Sequence, residues 1–312
     1  MKQVLCVGHA VQDFVFRTPQ LPRSAEKYRA SGFLTVGGGP AATAAVTIVR
    51  LGGVAQLAAR IGDDSVAQAI RAELVSLGVD CRYLKNFSGH QSSLSAVFVD
   101  DMGERMIVNH TDSSIPVDPA WLLREIVWSG VDAVLADTRW PDGATSVLEA
   151  ARLRGLPAVL DADVPVPKDG RLLGSASHIA FSLAGLRDFS GCGARASEIE
   201  QALIEVAGRE QRWCCVTLGG DGVLVVDGRT SLRDASAMPS VSRIPAFRVT
   251  PVDTLGAGDV WHGAFALAMA EGNDEISAVR AASAAAAVKV TRPGGRSGAP
   301  TRAERDSLLE TK

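Results

Sequence analysis

Asp253-Thr254-Leu255-Gly256-Ala257-Gly258-Asp259 packs two carboxylates, a hydroxyl and two glycines into seven residues, just ahead of the helical run Val260-Trp261-His262-Gly263-Ala264-Phe265. Gly256, Ala257 and Gly258 let the main chain come close to a ligand at a helix start. There the first N–H groups lack intrahelical acceptors and the helix dipole favours negative charge. Asp259 falls in the first turn and can point at the same ligand. Amides that hold charge developing on a phosphate, beside a carboxylate that takes the proton of an attacking hydroxyl, suit phosphoryl transfer. A glycine turn followed by an aspartate is most often only a turn, and it is the density of reactive groups that argues for a site here.

The elements that must position this motif follow an α/β pattern. Val4 to Val7 reads as a buried strand ending at Gly8, and the small residues from Pro40 to Leu51 read as a helix stopped by Gly52-Gly53. From about residue 130, short apolar strands (Ala133 to Ala136, Ala158 to Leu160, Trp213 to Leu218) alternate with helical stretches (Gly143 to Arg154, Ser197 to Val206). That alternation predicts a parallel sheet with helices on both faces. Two alanine-rich helices close the chain, near Ala257 to Glu271 and Asp274 to Val290. β-Rich pieces interrupt the pattern early, and Asp101-Met102-Gly103-Glu104 reads as a hairpin turn. The expectation is one α/β body over residues 1–312, with a small β lid inserted in two pieces, about 13–36 and 90–110.

Composition narrows the function classes. Net charge is −3 and aromatic content 5%, which argues against a broadly basic nucleic-acid binder or a base-stacking surface. The cysteines number five, two of them adjacent as Cys214-Cys215, and none shows CxxC spacing, so a disulfide framework or zinc site is not expected. His9, His90, His110, His178 and His262 likewise lack metal-ligand spacing. No uncharged apolar run approaches the roughly 18 residues of a membrane span. The sequence reads as soluble and cytoplasmic, with small-molecule partners.

The Asp253–Asp259 stretch matches the DTxGAGD signature of the PfkB/ribokinase family of carbohydrate kinases, and the chain resembles that family nearly end to end. Gly37-Gly38-Gly39-Pro40-Ala41 is similar to its N-terminal diglycine motif, with Ile61-Gly62-Asp63-Asp64 after it. Val216-Thr217-Leu218-Gly219-Gly220-Asp221-Gly222 is similar to its nucleotide-flanking strand and loop. The resemblance implies a ribokinase-like three-layer α/β/α body with a β lid, and the use of ATP with Mg2+. It makes Asp259 the catalytic base and Gly256, Ala257 and Gly258 the anion hole. It places Thr217, Gly219 and Gly222 at the nucleotide and Asp13, Gly38 and Gly39 at the sugar hydroxyls. Ser283 opens an alanine run near the expected adenine site. Family members often dimerise through their lids, so a homodimer is expected.

Departures from the family pattern bear on the substrate. Ala42 stands where many sugar kinases carry a substrate-binding asparagine, an exchange that removes a polar anchor and leaves space. Ser182 and Gly185 stand where an N-x-x-E pair often handles magnesium and phosphate. Gly185 cannot replace a carboxylate, so magnesium falls to ATP, water and other acids, with Asp163 the candidate. Ala136-Asp137-Thr138-Arg139-Trp140, Glu26-Lys27-Tyr28, Gly103-Glu104-Arg105 and Thr291-Arg292-Pro293-Gly294-Gly295-Arg296 most resemble the 6-deoxy-6-sulfofructose kinases. A sulfonate is a permanent anion that needs fixed donors, and arginine's planar fork suits it. Arg139 lies just past a strand's C-terminal end, where open α/β sheets bind ligands. Lys27, in the lid, and Asn109, at the end of a hairpin strand, complete the expected sulfonate pocket. Fructose 6-phosphate, tagatose 6-phosphate and fructose remain alternative substrates, and a non-catalytic sugar or nucleotide sensor an alternative function. Arg292 and Arg296 are open between phosphate contact and loop solvation.

Overall fold

In a computed structural model, which describes residues 1–229 and 240–311, a nine-stranded sheet runs β13-β12-β11-β10-β9-β8-β1-β4-β5. Its strands are β1 (Gln3–Gly8), β4 (Val54–Ile61), β5 (Asp80–Asn86), β8 (Ala133–Asp137), β9 (Ala158–Ala162), β10 (His178–Ser182), β11 (Trp213–Thr217), β12 (Val223–Asp227) and β13 (Val241–Ile244). Pairing is parallel from β5 through β11, and β12 and β13 add antiparallel at one edge. The central strands are buried on both faces, which explains their short, unbroken apolar runs.

Side-chain alternation sends Val4 and Cys6 of β1 to one face and Leu5 and Val7 to the other. The first face is covered by α1 (Pro40–Arg50), α2 (Ser65–Ser76), α8 (Ala257–Ala270) and α9 (Glu275–Val290). The second carries α3 (Ala120–Glu125), α4 (Pro141–Arg152), α5 (Arg171–Ser175), α6 (Leu183–Ser190) and α7 (Ala196–Glu210). A last helix, α10 (Arg302–Leu309), packs on α9. This is the layered α/β architecture expected from the strand–helix alternation.

A second, four-stranded sheet has the order β3-β2-β6-β7, built from β2 (Val11–Arg17), β3 (Gly32–Gly38), β6 (Leu94–Val99) and β7 (Arg105–His110). It comes from the two early β-rich pieces, and its first strand begins at Val11, slightly ahead of the expected boundary. Phe16 packs between Phe33, tilted at 5.0 Å, and Phe98, stacked at 5.5 Å between ring centroids. Short backbone approaches lock the body together. A Cβ on Gly263 would fall 2.6 Å from the Ala44 carbonyl oxygen, which is what lets α8 lie directly on α1. Gly263→Ala gains about 1 kcal/mol of helix propensity, yet overpacking here is expected to cost about 1–3 kcal/mol net. Urea denaturation checks the sign.

Candidate active site

The motif folds as its composition demands. Gly256, in the left-handed region at φ 72°, is the N-cap of α8 and turns the chain into the helix. The Ala257 N–H is spent on the Thr254 carbonyl at 3.2 Å, whereas those of Gly256, Gly258 and Asp259 have no acceptor among the described residues. The open donors are therefore a slightly different set from the three amides of the expected hole. A tight turn consumes one of those, and Asp259 contributes its own.

Asp259 is half-buried, and its carboxyl pKa is pushed up to about 7. Burial is the main cause, followed by repulsion from Asp161, with Asp137 and Asp163 adding to it. Asp161, at the end of β9, is itself raised well above the usual carboxylate range by burial and by Asp163, and its Oδ1 has no hydrogen-bond partner. The His262 ring sits between the Gly258 and Ala180 carbonyls at 2.8 and 3.1 Å, with Asp161 Oδ2 3.4 Å from Nδ1. His262 thus braces the first turn of α8 from below.

On one side of this turn lies a cavity of about 380 Å³ whose lining includes Thr217, Gly219, Gly222 and Ser283, together with Ala257 and Gly258. All four residues expected at the nucleotide thus meet in one place. Gly222, at φ 88°, is forced by closeness: a Cβ there would fall 2.1 Å from the Ile244 carbonyl oxygen. Val223, Phe247 and Ala286 make the slot apolar, and it opens onto the free N–H groups of α8. An apolar slot ending in amide donors fits a nucleotide, base inward and phosphates at the helix start.

The other side is built on glycines. A Cβ on Gly38 would lie 2.3 Å from Asp13 Oδ2, and one on Gly37 would overlap the Arg296 guanidinium, so only glycine lets both side chains cross the main chain. Asp13 is half-buried, and burial raises its pKa. Register pairs Asp13 with Ser95 and Ser95 with Asn109, so all three side chains share one face of the small sheet. Arg139 follows β8 and lies 3.4 Å from Asp163 Oδ2. Lys27 is exposed in the β2–β3 connection, and its side chain has no hydrogen bond or ion pair among the described residues. Arg296 is 2% exposed and doubly bonded to Glu73, so it neither solvates a loop nor reaches the nucleotide cavity.

Sequence reasoning missed further groups. Arg60, at the end of β4, lies 4.8 Å over the Trp140 ring, and its Nη1 donates to the Ile115 and Pro116 carbonyls. It has no ion-pair partner among the described residues, and burial lowers its pKa. His9, at the end of β1, is pulled down to about 4 by burial and by Arg139 and Arg60. β4, β1 and β8 are adjacent, so these three basic side chains gather at one end of the sheet. The only sequence signal was their common place one or two residues past or within a strand's C-terminal end.

The acids present fit a loosely held metal. Among the described residues, no three His, Cys, Asp or Glu side chains form a metal cage. Asp161, with its orphaned oxygen, and Asp163 still offer carboxylates beside Asp259. Asp163 Oδ1 accepts from Ser182 Oγ at 2.6 Å, and Ser182 Oγ also accepts from the Gly185 N–H. A Cβ on Gly185 would fall 1.9 Å from the Ala162 carbonyl oxygen, which explains why no carboxylate stands there. Ala42 is fully buried, so its loss of an amide opens no solvent-filled space.

Residues 1–302 match the model of the pfkB family carbohydrate kinases, and the chain belongs to that family. It is 28% identical to the ribokinase of Bacillus subtilis (strain 168), covering 99% of this chain and all of that one. A crystallised ribokinase candidate from Agrobacterium tumefaciens superposes with TM-score 0.86 at 36% identity, covering 99% and 97% of the two chains. The ribokinase of Arabidopsis thaliana, solved with ribose and ATP, shares the fold with TM-score 0.83 at 23% identity, covering 100% and 99%. Kinases of this family use ATP with Mg2+. Among the described residues, no helix is long and apolar enough to cross a membrane.

The raised pKa of Asp259 has two measurable consequences. If Asp259 is the base, it must be ionised to accept a proton, so kcat/KM for the sugar is expected to rise with pH and level off above about 7. Folding also raises this pKa above its unfolded value, so stability present below the ordinary carboxylate range is lost as pH climbs toward 7. Asp259→Asn removes that cost. Its Tm at about pH 8 should exceed the parent's while turnover disappears.

Proposed function

We propose that this kinase transfers the γ-phosphoryl group of ATP to the C1 hydroxyl of 6-deoxy-6-sulfofructose, giving the 1-phosphate and ADP. The half-buried Asp259 beside unpaired N–H donors carries the phosphoryl-transfer reading. In it, Asp259 takes the hydroxyl proton as that oxygen attacks phosphorus in line. The Gly256–Asp259 turn holds the charge growing on the transferred group. Thr217, Gly219, Gly222 and Ser283 bind the nucleotide, and Asp13, Gly38 and Gly39 orient the sugar. Asp163 and Asp161 are the carboxylates that would help hold Mg2+ brought in with ATP, which would supply neutralisation of phosphate charge. The small sheet acts as a lid that limits hydrolysis by water.

The substrate assignment draws support from the basic side of the cleft. Arg139 and the unpaired Arg60 crowd the strand ends, and Asn109 shares a face with Asp13. Such a region favours a sugar with a fixed negative end, and Lys27 joins it if the β2–β3 connection folds over the bound substrate. The name carried by the relatives favours a second reading, ribose, in which no anionic end is needed. ADP release with 6-deoxy-6-sulfofructose, fructose 6-phosphate, fructose and ribose in parallel separates them. The sulfosugar is expected to have the highest kcat/KM. Arg139→Ala should raise its KM by about 10–100-fold, the worth of a lost charged hydrogen bond, with KM for ATP little changed. Preference for ribose, or equal losses for both ligands, would overturn the sulfonate assignment.

The lid also supports a homodimer. Its edge strands β3 and β7 expose Phe33, Ile107 and Val108, each more than half open to solvent. Unpaired edges with apolar side chains invite a second copy. Sedimentation is expected to give twice the 32.6 kDa chain mass, and a monomer at micromolar concentration would refute the pairing.

A further inference from the structure

Lys289 is a charged side chain with no exposed surface at all, in the last turn of α9. A buried ammonium is costly unless paired and hydrogen-bonded. Its Nζ donates to the Asp253 main-chain carbonyl at 2.8 Å and stands 3.6 Å from Asp253 Oδ2. Asp253 in turn is a junction. Its Oδ1 accepts from the Leu255 N–H at 2.9 Å and from the Arg105 guanidinium of β7. Its Oδ2 accepts from the Gly294 N–H at 2.9 Å, and its own N–H donates to the Val290 carbonyl. One ammonium thus sits where α9 ends, where the chain turns at Gly294, and where the loop entering α8 begins.

We propose that Lys289 is a positioning residue for phosphoryl transfer: a built-in cation beneath the Asp253–Gly258 loop that sets where the free N–H groups of α8 point. Thr254 and Leu255 link the two. The Leu255 N–H is held by the Asp253 carboxylate, and the Thr254 carbonyl takes the Ala257 N–H, leaving those of Gly256, Gly258 and Asp259 without an acceptor among the described residues. Burial depresses the Lys289 pKa and the Asp253 charge opposes that loss. Burial works against Asp253 as well, but the N–H bonds from Leu255 and Gly294 and the Lys289 charge outweigh it and keep its pKa low. None of Lys289, Asp253 and Arg105 lines the cavity beside the turn. The arrangement acts through the loop, and it rests on the phosphoryl-transfer reading of Asp259.

Removing one partner of a buried pair strands the other's charge, so Lys289→Met is expected to lower Tm whatever its role. The double variant Lys289→Met/Asp253→Asn separates the roles, because it removes both charges and keeps an acceptor for the Leu255 N–H. Tm, kcat and sugar KM are measured on all three proteins, with whichever sugar supports ADP release. Lys289→Met should lose about 100-fold in kcat, the scale of a misplaced donor, with KM within about 3-fold. The double variant should regain only part of the lost Tm, because Arg105 and the Gly294 N–H still lose a carboxylate partner, and it should remain slow. Recovery of kcat together with Tm, or parental kcat in either variant, would reduce Lys289 to a structural role and overturn the proposal. Should Lys289→Met fail to fold, Asp253→Asn is compared with the double variant, and a double variant no slower than Asp253→Asn overturns the proposal. Asp259→Asn runs alongside: if it turns over normally, the phosphoryl-transfer reading fails independently of Lys289.

Discussion

The carboxylate of Asp137 holds together the end of the sheet where everything else happens. It accepts the N–H of His9 at 2.8 Å, of Ala41 at 3.0 Å and of Arg139 at 2.8 Å, joining the exits of β1 and β8 to the start of α1. These donors would otherwise be buried and unpaired, because a parallel sheet leaves its last N–H groups free where strands turn into loops. The arrangement in turn fixes Gly8, where any Cβ would fall about 2.2 Å from that carboxylate. The glycine run at Gly37–Gly39, the first turn of α1 and the base of Arg139 all take their places from one acceptor.

Charge is divided across the same sheet end. Asp161 and Asp163 gather under α8 beside Asp259, while Arg60, His9 and Arg139 collect at the exits of β4, β1 and β8. Arg139 spans the divide through Asp163. In a partly dry cleft such a separation polarises whatever lies between the acids on one side and the bases on the other. Burial is the main cause of both the raised pKa of Asp259 and the depressed one of His9, and the neighbouring charges of this layout add to each.

Legibility in the sequence followed contact distance along the chain. The Asp253–Asp259 turn was readable because its glycines, acid and helix are contiguous, and the α/β alternation showed the layers because each element carries its own period. Thr217, Gly219, Gly222 and Ser283 could be named through resemblance, and they share one cavity. Asp137, Arg60 and Lys289 were not legible as working groups, since their meaning lies in partners such as His9, 128 positions away, and Asp253, 36 positions away. Strands such as β4 and β12 passed unnamed because short apolar runs carry no period that separates strand from buried helix. Arg292 and Arg296 look alike in sequence, yet one pairs with Glu304 near the surface and the other is enclosed with Glu73.

Gly185 limits what this end of the sheet can hold. With β9 and α6 pressed so close that a Cβ would sit 1.9 Å from the Ala162 carbonyl oxygen, an acid at 185 requires the two backbones to part first. Ser182 bonds both the Asp163 carboxylate and the Gly185 N–H, so the same shift would break a link between β9 and α6. Redesign of this corner therefore has to begin with the main chain, not with a side chain.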